Sequence, residues 1–396
     1  MKKKQYPYKN VRVLLMEASS RAALPMAKGF HNLGCHVTTV AESKLAVGIL
    51  TKFADRKIVI KEVDSNEELA TKAYTDLLQG ERFDLVVPLS DFSATIASRE
   101  KNDWEKTGAK IAVNDWDVFA NIIDKSRTMQ ICEQHNIPAP KTLFSDDPIK
   151  EVEAGVIDFP IVVKPKTGIG SIGFNIVRDM ETLKKVLADY DNSNGPILVQ
   201  EYVEQGNHPQ YGAELFRDKN GKTNFALVAR VTRWYPIDGG SRLCSVSVHN
   251  EKIVEDCKRL LDALNWNGYA NIDLVWDEKK SAAKILEING RTGASVKLDF
   301  LSGVDVSRLI IENELGYDTT VYDQYVDGKA ISCFLVDCLW FLKSKNRFKT
   351  KPSWFARWKY KDVVFSWNDI LPSFGFLILS IKNFRKEMKK RKRIET

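Results

Sequence analysis

Between residues 11 and 113 the chain alternates short apolar runs with segments of helical periodicity. The runs are VRVLLM, CHVTTVA, IVIKEV, FDLVVPLS and KIAVN, and the first helical segment extends from about Arg21 to Leu33. Apolar strands separated by helices are typical of a parallel sheet that helices cover on both faces. EASSRAAL, not GxGxxG, follows the first run, so the sequence predicts a Rossmann-like sheet without a dinucleotide fingerprint.

Two further helices are predicted in the segment WDVFANIIDKSRTMQICEQHNIPAPKT, and the second ends before Ile137 and Pro138. Asp124 can cap the second helix, which places Lys125 in its first turn. A cation is unfavourable beside the positive end of a helix. Lys125 therefore needs either an anionic partner or an exposed position, and an exposed lysine is the simpler interpretation of this segment alone.

A glycine-rich loop connects two predicted strands in FPIVVKPKTGIGSIGFNIVRD. Gly168, Gly170 and Gly173 match GxGxxG, but a strand follows them, so the pattern predicts a hairpin flap. The backbone N–H groups of such a flap can close over phosphates, although a plain flexible hairpin has the same pattern. Lys164 ends the strand before the loop. A buried lysine needs a partner, which a phosphate would supply.

The stretch YANIDLVWDEKKSAAKILEINGR alternates apolar and polar residues on both sides of a polar turn. A turn centred on Lys280 places Asp273 opposite Glu287 and Asn271 opposite Asn289. Two carboxylates across a ladder repel each other, and a divalent cation between them removes that cost. Carboxylate and amide oxygens suit Mg²⁺. A solvent-exposed strand surface with screened charges would give the same pattern.

The other face of this hairpin is apolar and predicts a core contact. Ile272, Leu274 and Trp276 are expected to pack with Leu286 and Ile288.

Arginines and glycines surround the predicted hairpin. Arg291 adds a planar fork suited to phosphate or carboxylate, and glycines at 290 and 293 would let a ligand approach the backbone. Upstream, residues 229–248 contain Arg230, Arg233 and the turn at 238–241. These groups suit an acidic substrate, and an ordinary polar loop explains them equally well.

Taken together, a lysine on a helix, a lysine ending a strand, a glycine flap, the acidic hinge strand QEYV and Asp…Glu-x-Asn-x-Arg resemble the ATP-grasp superfamily of carboxylate–amine ligases. The likeness covers roughly residues 11–315 and is of the carbamoyl-phosphate-synthase and biotin-carboxylase type. It implies a mixed α/β and α+β fold: a pre-ATP-grasp domain at 1–114, an ATP-grasp domain at 115–315 with a lid at about 125–200, and a basic, aromatic extension at 316–396. Residues 229–248 also resemble ATP-grasp proteins of cell-surface polysaccharide biosynthesis.

The resemblance implies roles for individual residues. Mg²⁺, or alternatively Mn²⁺, would be held by Asp273, Glu287 and Asn289. Catalysis would involve Arg291, Lys164 and Arg230. ATP would be bound by Lys125, Lys164, Gly168, Gly170, Ser171, Gly173, Gln200, Glu201, Val203 and Gln210. The family usually has a ribose-binding glutamate where Gln210 stands, and a glutamine can still hydrogen-bond a hydroxyl.

The implied reaction uses ATP to convert a carboxylate into an acyl phosphate, which an amine attacks to give an amide, ADP and phosphate. Its substrates would be a small-molecule or glycan-linked carboxylate and an amine, and a homodimer is compatible with it. One alternative is a phosphoryl transferase that uses the same nucleotide site. Another is a peripheral scaffold that binds ATP without turnover.

The charge of the chain is concentrated at its C-terminus. The net charge is +7, yet residues 340–396 contain sixteen Lys and Arg against four Asp and Glu. An acidic main body argues against a nucleic-acid partner. The tail beyond Lys382 is expected to contact an anionic membrane peripherally. The run from Phe374 to Ile381 is expected to dock on the body of the protein.

Location is predicted from what the sequence lacks. Six cysteines without metal-ligand spacing, no signal peptide and no apolar segment of about 18 residues indicate a cytoplasmic protein, peripheral at most to the inner face of the membrane. The apolar stretch ISCFLVDCLWFL is interrupted by Asp337, so it is expected to pack on the body of the protein.

Overall fold

A computed structural model describes residues 8–145, 147–167, 173–190, 195–204, 210–235, 237 and 241–390, with the backbone alone at 241 and 383–390. The N-terminal elements are β1 (Arg12–Met16), α1 (Ala23–Asn32), β2 (His36–Ala41), α2 (Val47–Leu50), β3 (Arg56–Val59), α3 (Glu67–Gly80), β4 (Leu85–Pro88), α4 (Asp91–Arg99), α5 (Lys101–Trp104) and β5 (Lys110–Ile111). The five strands form one parallel sheet in the order β3-β2-β1-β4-β5, which confirms the predicted scaffold.

The edges of this sheet differ in detail from the sequence prediction. β3 begins at Arg56 and ends at Val59, so it covers only the start of the predicted run IVIKEV. As the edge strand it has a single neighbour and is mostly exposed, which its two charged residues, Arg56 and Lys57, suit. The interior strands β1 and β4 are almost entirely buried, as their unbroken apolar sequences predicted.

A smaller antiparallel unit follows the parallel sheet. Its elements are α6 (Trp116–Ile123), α7 (Lys125–Gln134), β6 (Thr142–Leu143), α8 (Pro148–Glu153), β7 (Ile161–Pro165), β8 (Asn175–Val177), α9 (Met180–Ala188) and β9 (Ile197–Glu201). Four strands pair in the order β6-β9-β7-β8. Ile161, Val163, Leu183 and Val199 form the centre of its separate core, so the predicted lid has its own hydrophobic interior.

A seven-stranded sheet makes up the rest of the protein. Its elements and helices are β10 (Gln210–Arg217), β11 (Thr223–Tyr235), β12 (Ser241–Val248), α10 (Glu251–Ala263), β13 (Gly268–Asp277), β14 (Ala282–Asn289), α11 (Val296–Leu301), α12 (Val306–Leu315), β15 (Ala330–Ser332), α13 (Phe334–Lys343), β16 (Lys361–Asp362) and α14 (Leu371–Lys390). The strand order is β14-β13-β10-β11-β12-β15-β16.

The C-terminal segment is part of this sheet, because β15 pairs with β12 and β16 pairs with β15. Asp337 on α13 forms a bidentate ion pair with Arg233 on β11, in which both N···O distances are 2.8 Å and both side chains are fully buried. Arg233 therefore attaches α13 to β11. The prediction that it contacts an acidic substrate is wrong. The stretch around Asp337 packs on the body as predicted.

Helix α14 docks on the N-terminal part through a close contact with the segment that contains α2. A Cβ on Gly375 would lie 2.3 Å from a methyl carbon of Leu50 and 2.4 Å from the carbonyl oxygen of Leu45. Within the described residues, no helix is long and apolar enough to cross a membrane.

Candidate functional site

The hairpin of β13 and β14 has the predicted register at its end. Asp273 lies opposite Glu287, and Asn271 lies opposite Asn289. The pairing then shifts by one residue, so that Leu274 lies opposite Ile285 and Leu286 is the extra residue of a β-bulge. The prediction that Leu286 faces the core is wrong: the bulge turns it partly outward, and Ile285 is buried in its place.

Two lysines from separate elements converge on Glu287. Lys125 starts α7, which Asp124 caps by accepting a hydrogen bond from the backbone of Ser126 at 2.8 Å. The ammonium of Lys125 lies 3.6 Å from Oε2 of Glu287, and its side chain is only 14% exposed. The anionic-partner interpretation of Lys125 is therefore the correct one.

Lys164 near the end of β7 is the second of these lysines. Burial lowers its pKa to about 8, Glu287 raises the pKa and Lys125 lowers it further. The backbone N–H of Lys125 donates to the carbonyl of Lys166 at 2.9 Å, which fixes α7 to the end of β7. Two ammonium groups beside one carboxylate, one of them close enough to lower the pKa of Lys164, suit a polyphosphate better than a single carboxylate.

Arg242 on β12 is a site residue that the sequence did not reveal. Its guanidinium pairs with Asp273, lies 3.2 Å from Glu214 and donates to the Asn271 side chain at 3.3 Å. The side chain lies flat on β10, where a Cβ on Gly212 would be 1.8 Å from Nη1. Alternation in SRLCSVSV does not reveal it, because the register between β11 and β12 shifts at two places between Val231 and Trp234.

A buried polar network lies beneath Arg242. Glu214 is fully buried and accepts from the Asn271 amide at 2.7 Å, and the same amide donates to Ser295 at 3.0 Å. Burial raises the pKa of Glu214, and Arg242 opposes that rise. Burial together with Glu214 also raises the pKa of Asp299, whose carboxylate accepts from Tyr269 at 2.9 Å. Arg242 thus lies above two buried carboxyl groups, those of Glu214 and Asp299, and its positive charge opposes the rise in their pKa.

The side chain of Arg291 is held by a residue of the N-terminal part of the protein. Its guanidinium donates to Asp91 at 2.8 Å and to Asn289 Oδ1 at 3.2 Å, while Asn289 donates to Asp273 at 3.2 Å. Asp91 is the first residue of α4, shortly after the end of β4 at Pro88. The sequence did not single out Asp91, and its signal was a polar residue at the carboxyl edge of a parallel strand.

The two glycines beside Arg291 have different roles. A Cβ on Gly290 would lie 2.6 Å from Trp266 and 2.7 Å from Phe119, so glycine is needed there for packing and not for ligand approach. A Cβ on Gly293 would lie 2.9 Å from the guanidinium of Arg291. Gly293 therefore leaves room for that side chain.

The predicted adenine hinge contains an ion pair between a glutamate and a lysine. Glu201 at the end of β9 forms an ion pair with Lys284, which also lies 2.8 Å from Asp277. Gln200 is buried and donates to Thr142 at 2.8 Å, so its side chain is used inside the lid sheet. Its predicted contact with ATP cannot come from that side chain.

Two more predicted ATP-binding residues lie beside this hinge. Val203 follows β9 and is partly buried. Gln210 begins β10 opposite Val275 of β13. Because residues two apart in a strand share a face, Gln210 lies on the face that carries Asp273.

Arg230 lies on the other face of the sheet. It is paired with Tyr211, which is paired with Leu274, whereas Asp273 is paired with Gly212. Directly opposed residues share a face. The structure therefore does not bring Arg230 to the carboxylates, and the prediction that it is catalytic is wrong. Arg242 occupies that position instead.

The flap is described only at its ends. Gly168, Gly170 and Ser171 lie outside the described residues, as do Asp238, Gly239 and Gly240 of the predicted substrate turn. Gly173 has a φ of 71°, and a Cβ there would approach the ring of Pro165 to 3.1 Å. Glycine is therefore required where the loop enters β8.

A second polar cluster follows β1 and β4, where the strand order of the parallel sheet reverses. Glu17 has a φ of 53° and accepts hydrogen bonds from the side chain of Ser90 and the backbone of Ser93. Burial raises the pKa of Glu17 to about 8, and Asp64 raises it as well. Ligands of open α/β sheets bind in the crevice at such a switch point.

The paired carboxylates fit a hard cation. Asp273 and Glu287 face each other across the ladder; Arg242 offsets the charge of Asp273, and Lys125 and Lys164 offset that of Glu287. Among the described residues no three His, Cys, Asp or Glu side chains gather as a metal cluster, and the oxygen-bearing side chains at this end of the hairpin are two carboxylates and the Asn289 amide. Such oxygen donors leave room for phosphate and water in the shell of Mg²⁺.

Comparisons with known proteins agree with this geometry. Residues 122–295 match the family model of an ATP-grasp domain. The chain is 21% identical over 269 residues to a D-aspartate ligase of Enterococcus faecium (strain Aus0004), a match that covers 64% of this chain and 63% of the ligase. It is 26% identical over 210 residues to a tetrahydromethanopterin:alpha-L-glutamate ligase of Methanococcus maripaludis, covering 52% and 69% of the two chains. The match to the first of these relatives thus spans less than two thirds of its length.

Among solved structures, a biotin carboxylase from Campylobacter jejuni has the same fold. Its TM-score is 0.66 at 16% sequence identity, and the match covers 80% of this chain and 74% of that one.

Proposed function

This chain contains an ATP-grasp domain, and from that premise we propose that it is an ATP- and Mg²⁺-dependent carboxylate–amine ligase. ATP phosphorylates a substrate carboxylate, which releases ADP. The nitrogen lone pair of an amine then attacks the acyl phosphate; phosphate leaves and the amine gives up a proton. The observation that carries this proposal is the convergence of Lys125 and Lys164 on Glu287, directly across the ladder from Asp273.

The phosphates of ATP would lie between the two lysines and the end of the hairpin. Lys125 is fixed by its capped helix and Lys164 by β7, so both ammonium groups are in place before ATP binds. Asp273, Glu287 and Asn289 would hold Mg²⁺ or Mn²⁺, which supplies charge neutralisation to the transferring phosphoryl group. Preorganised charge of this kind contributes most of the catalysis in phosphoryl transfer.

Arg291 would stabilise the negative charge on the phosphoryl group and the acyl phosphate. Its guanidinium donates to Asp91, and this contact at the carboxyl edge of the parallel sheet supports a nucleotide site that borders that edge. The acceptor substrate would therefore enter along that edge, where Glu17, Ser90 and Ser93 form a polar cluster. Glu17 would accept hydrogen bonds from the amine.

Adenine would lie at the hinge formed by Glu201 and Val203, with the ribose near Gln210 and the glycine loop over the phosphates. Lys284 supports this placement, because it holds the Glu201 carboxylate at the entrance of the site.

We further propose a cytoplasmic location with peripheral membrane contact through the C-terminal tail, in cell-surface polysaccharide biosynthesis. A lipid-linked glycan carboxylate is the substrate that such a location favours.

A substrate screen that measures ADP and product mass together tests the reaction. Small-molecule and glycan carboxylates are paired with amines in the presence of ATP and Mg²⁺. A ligase produces ADP only when both substrates are present, and the product mass equals their sum minus water. A phosphorylated product from one substrate would show a phosphoryl transferase, and ATP binding without any ADP formation across the screen would show a scaffold.

A further inference from the structure

Helix α14 has two unlike faces. One face docks on the protein: Pro372 and Gly375 are buried, and Phe376 packs against the core of the N-terminal sheet. Gly375 makes this docking close, because its Cα lies against the segment from Leu45 to Leu50. The docked face fixes the orientation of the opposite face relative to the rest of the molecule.

The opposite face of α14 is apolar and exposed. Its side chains are between 41% and 69% exposed, and they are Leu371, Phe374, Leu377, Ile378 and Ile381. Spacings of three and four residues place them in one stripe along the helix. No charged residue occurs between 371 and 381. A helix on the surface of a water-soluble domain normally turns polar residues outward, so this stripe indicates a partner surface.

Exposed aromatic rings precede this stripe. Trp367 is 86% exposed and contacts Phe365 edge to face, with ring centroids 4.9 Å apart. Trp358 is 79% exposed. Indole rings are enriched at the boundary between water and a bilayer, where their apolar body and polar N–H are both accommodated.

Basic residues follow the stripe in the sequence, and one lysine lies near the loop that precedes it. From residue 382 to residue 393 the chain contains eight Lys and Arg and a single acidic residue, Glu387. On the other side, the ammonium of Lys52 donates to Asn368 at 2.8 Å in the loop before α14. Apolar side chains bordered by cations match the acyl chains and the anionic headgroups of a membrane surface.

We propose that α14 is an interfacial helix that lies in the plane of an anionic bilayer, with its apolar stripe inserted among the acyl chains and the following basic segment on the headgroups. This inference deepens the peripheral membrane contact proposed above and is independent of the ligase reaction. Pairing of two copies through the same face is disfavoured, because it would bring two strongly basic segments together.

Co-sedimentation of the full-length protein with vesicles tests the inference. Phosphatidylcholine vesicles are compared with vesicles of equal parts phosphatidylcholine and phosphatidylglycerol. Binding to the anionic vesicles is expected, with an affinity about tenfold or more above that for neutral vesicles, and it should weaken as salt rises. Equal binding to the two compositions would overturn the proposal.

Two variants separate the stripe from nonspecific effects. Phe374→Ser with Ile378→Ser is expected to reduce affinity for anionic vesicles about tenfold or more, since two apolar side chains no longer insert. Val326→Ser is the control, because Val326 is also exposed but lies outside α14, and it should bind as the wild type does. Binding by the double variant equal to wild type would overturn the proposal.

Two further measurements make the result unambiguous. Thermal unfolding of the double variant should match that of the wild type, because the changed side chains already face solvent. Sedimentation velocity without vesicles should show no dimer that the double substitution dissociates. Such a dimer would assign the stripe to a second copy of the chain and overturn the membrane proposal. ATP turnover without vesicles does not depend on this outcome, so a failure here leaves the ligase proposal intact.

Discussion

Arg291 and Asp91 form an ion pair of 2.8 Å that joins the end of the β13–β14 hairpin to the first turn of α4. The two residues are two hundred positions apart in the chain, and they follow strands of different sheets. Neither side chain is more than a quarter exposed. The proposed catalytic arginine is therefore oriented by the N-terminal sheet, which has no nucleotide fingerprint of its own.

Asp91→Asn tests this orientation. The amide cannot pair with the guanidinium as a carboxylate does, so we expect kcat to fall about tenfold to a hundredfold while KM for ATP changes little. Asp103→Asn is the control, since Asp103 forms an exposed pair with Lys106, and its kinetics should stay at the wild-type level. A rise in KM for ATP at unchanged kcat would assign the pair to nucleotide binding.

Glu287→Gln tests the proposed metal platform. The substitution keeps the shape of the side chain and removes its charge, so kcat should fall about a thousandfold and Mn²⁺ affinity, measured by titration calorimetry, about tenfold. Glu278→Gln, in the turn of the same hairpin, is the matched control and should behave as the wild type. Wild-type turnover by Glu287→Gln at ordinary Mg²⁺ concentrations would exclude the assignment.

Arg242→Ala should destabilise the protein. The change leaves Glu214 buried without its cation, and breaking a buried pair in this way costs about 3 kcal/mol of unfolding free energy. Arg82→Ala removes a surface pair with Asp84 and should cost less than about 1 kcal/mol. Urea unfolding of the two variants measures the difference. Equal losses of unfolding free energy in the two variants would show that Arg242 does not offset the charge of the buried Glu214 carboxylate.

Glu17→Gln should change the dependence of stability on pH. Because the pKa of Glu17 is raised from 4.5 to about 8 in the folded protein, the folded state holds a proton that the unfolded state releases between these values. Stability is thus lost as pH rises from about 4.5 to about 8.

The glutamine variant keeps a neutral side chain at every pH. After a discount for the partial exposure of Glu17, it should be about 2 kcal/mol more stable than the wild type at pH 9, and equal to it at pH 4. Urea unfolding at the two pH values measures this. Parallel stability curves for the two proteins would contradict the raised pKa.

Much of the site followed from local sequence patterns. The facing of Asp273 and Glu287 depends on period-two alternation around a polar turn, and the capped position of Lys125 depends on the residue before it. Both signals are confined to about twenty residues. The parallel sheet was predictable for the same reason, since its buried strands are continuous apolar runs.

The errors concern residues whose roles are set by distant partners. Arg233 forms an ion pair with Asp337, more than a hundred positions away, and no sequence feature near Arg233 indicates this pairing. Arg230 and Arg242 flank a pair of bulges in β11 and β12, which change the side of the sheet that each side chain faces. A register that shifts by one residue cannot be recovered from alternation alone.

The single extra residue at Leu286 sets the relative orientation of Glu287 and Lys284, which lie at the two ends of the proposed nucleotide site. Glu287 lies opposite Asp273, and Lys284 lies opposite Val275, two residues further along β13. Three positions separate Lys284 from Glu287, so a regular strand would direct them to opposite faces, and only the bulge allows both to lie on the face of the proposed nucleotide site. Removing one residue here would turn the lysine that holds Glu201 toward the core. The length of this strand is therefore as strictly constrained as the identity of its charged residues.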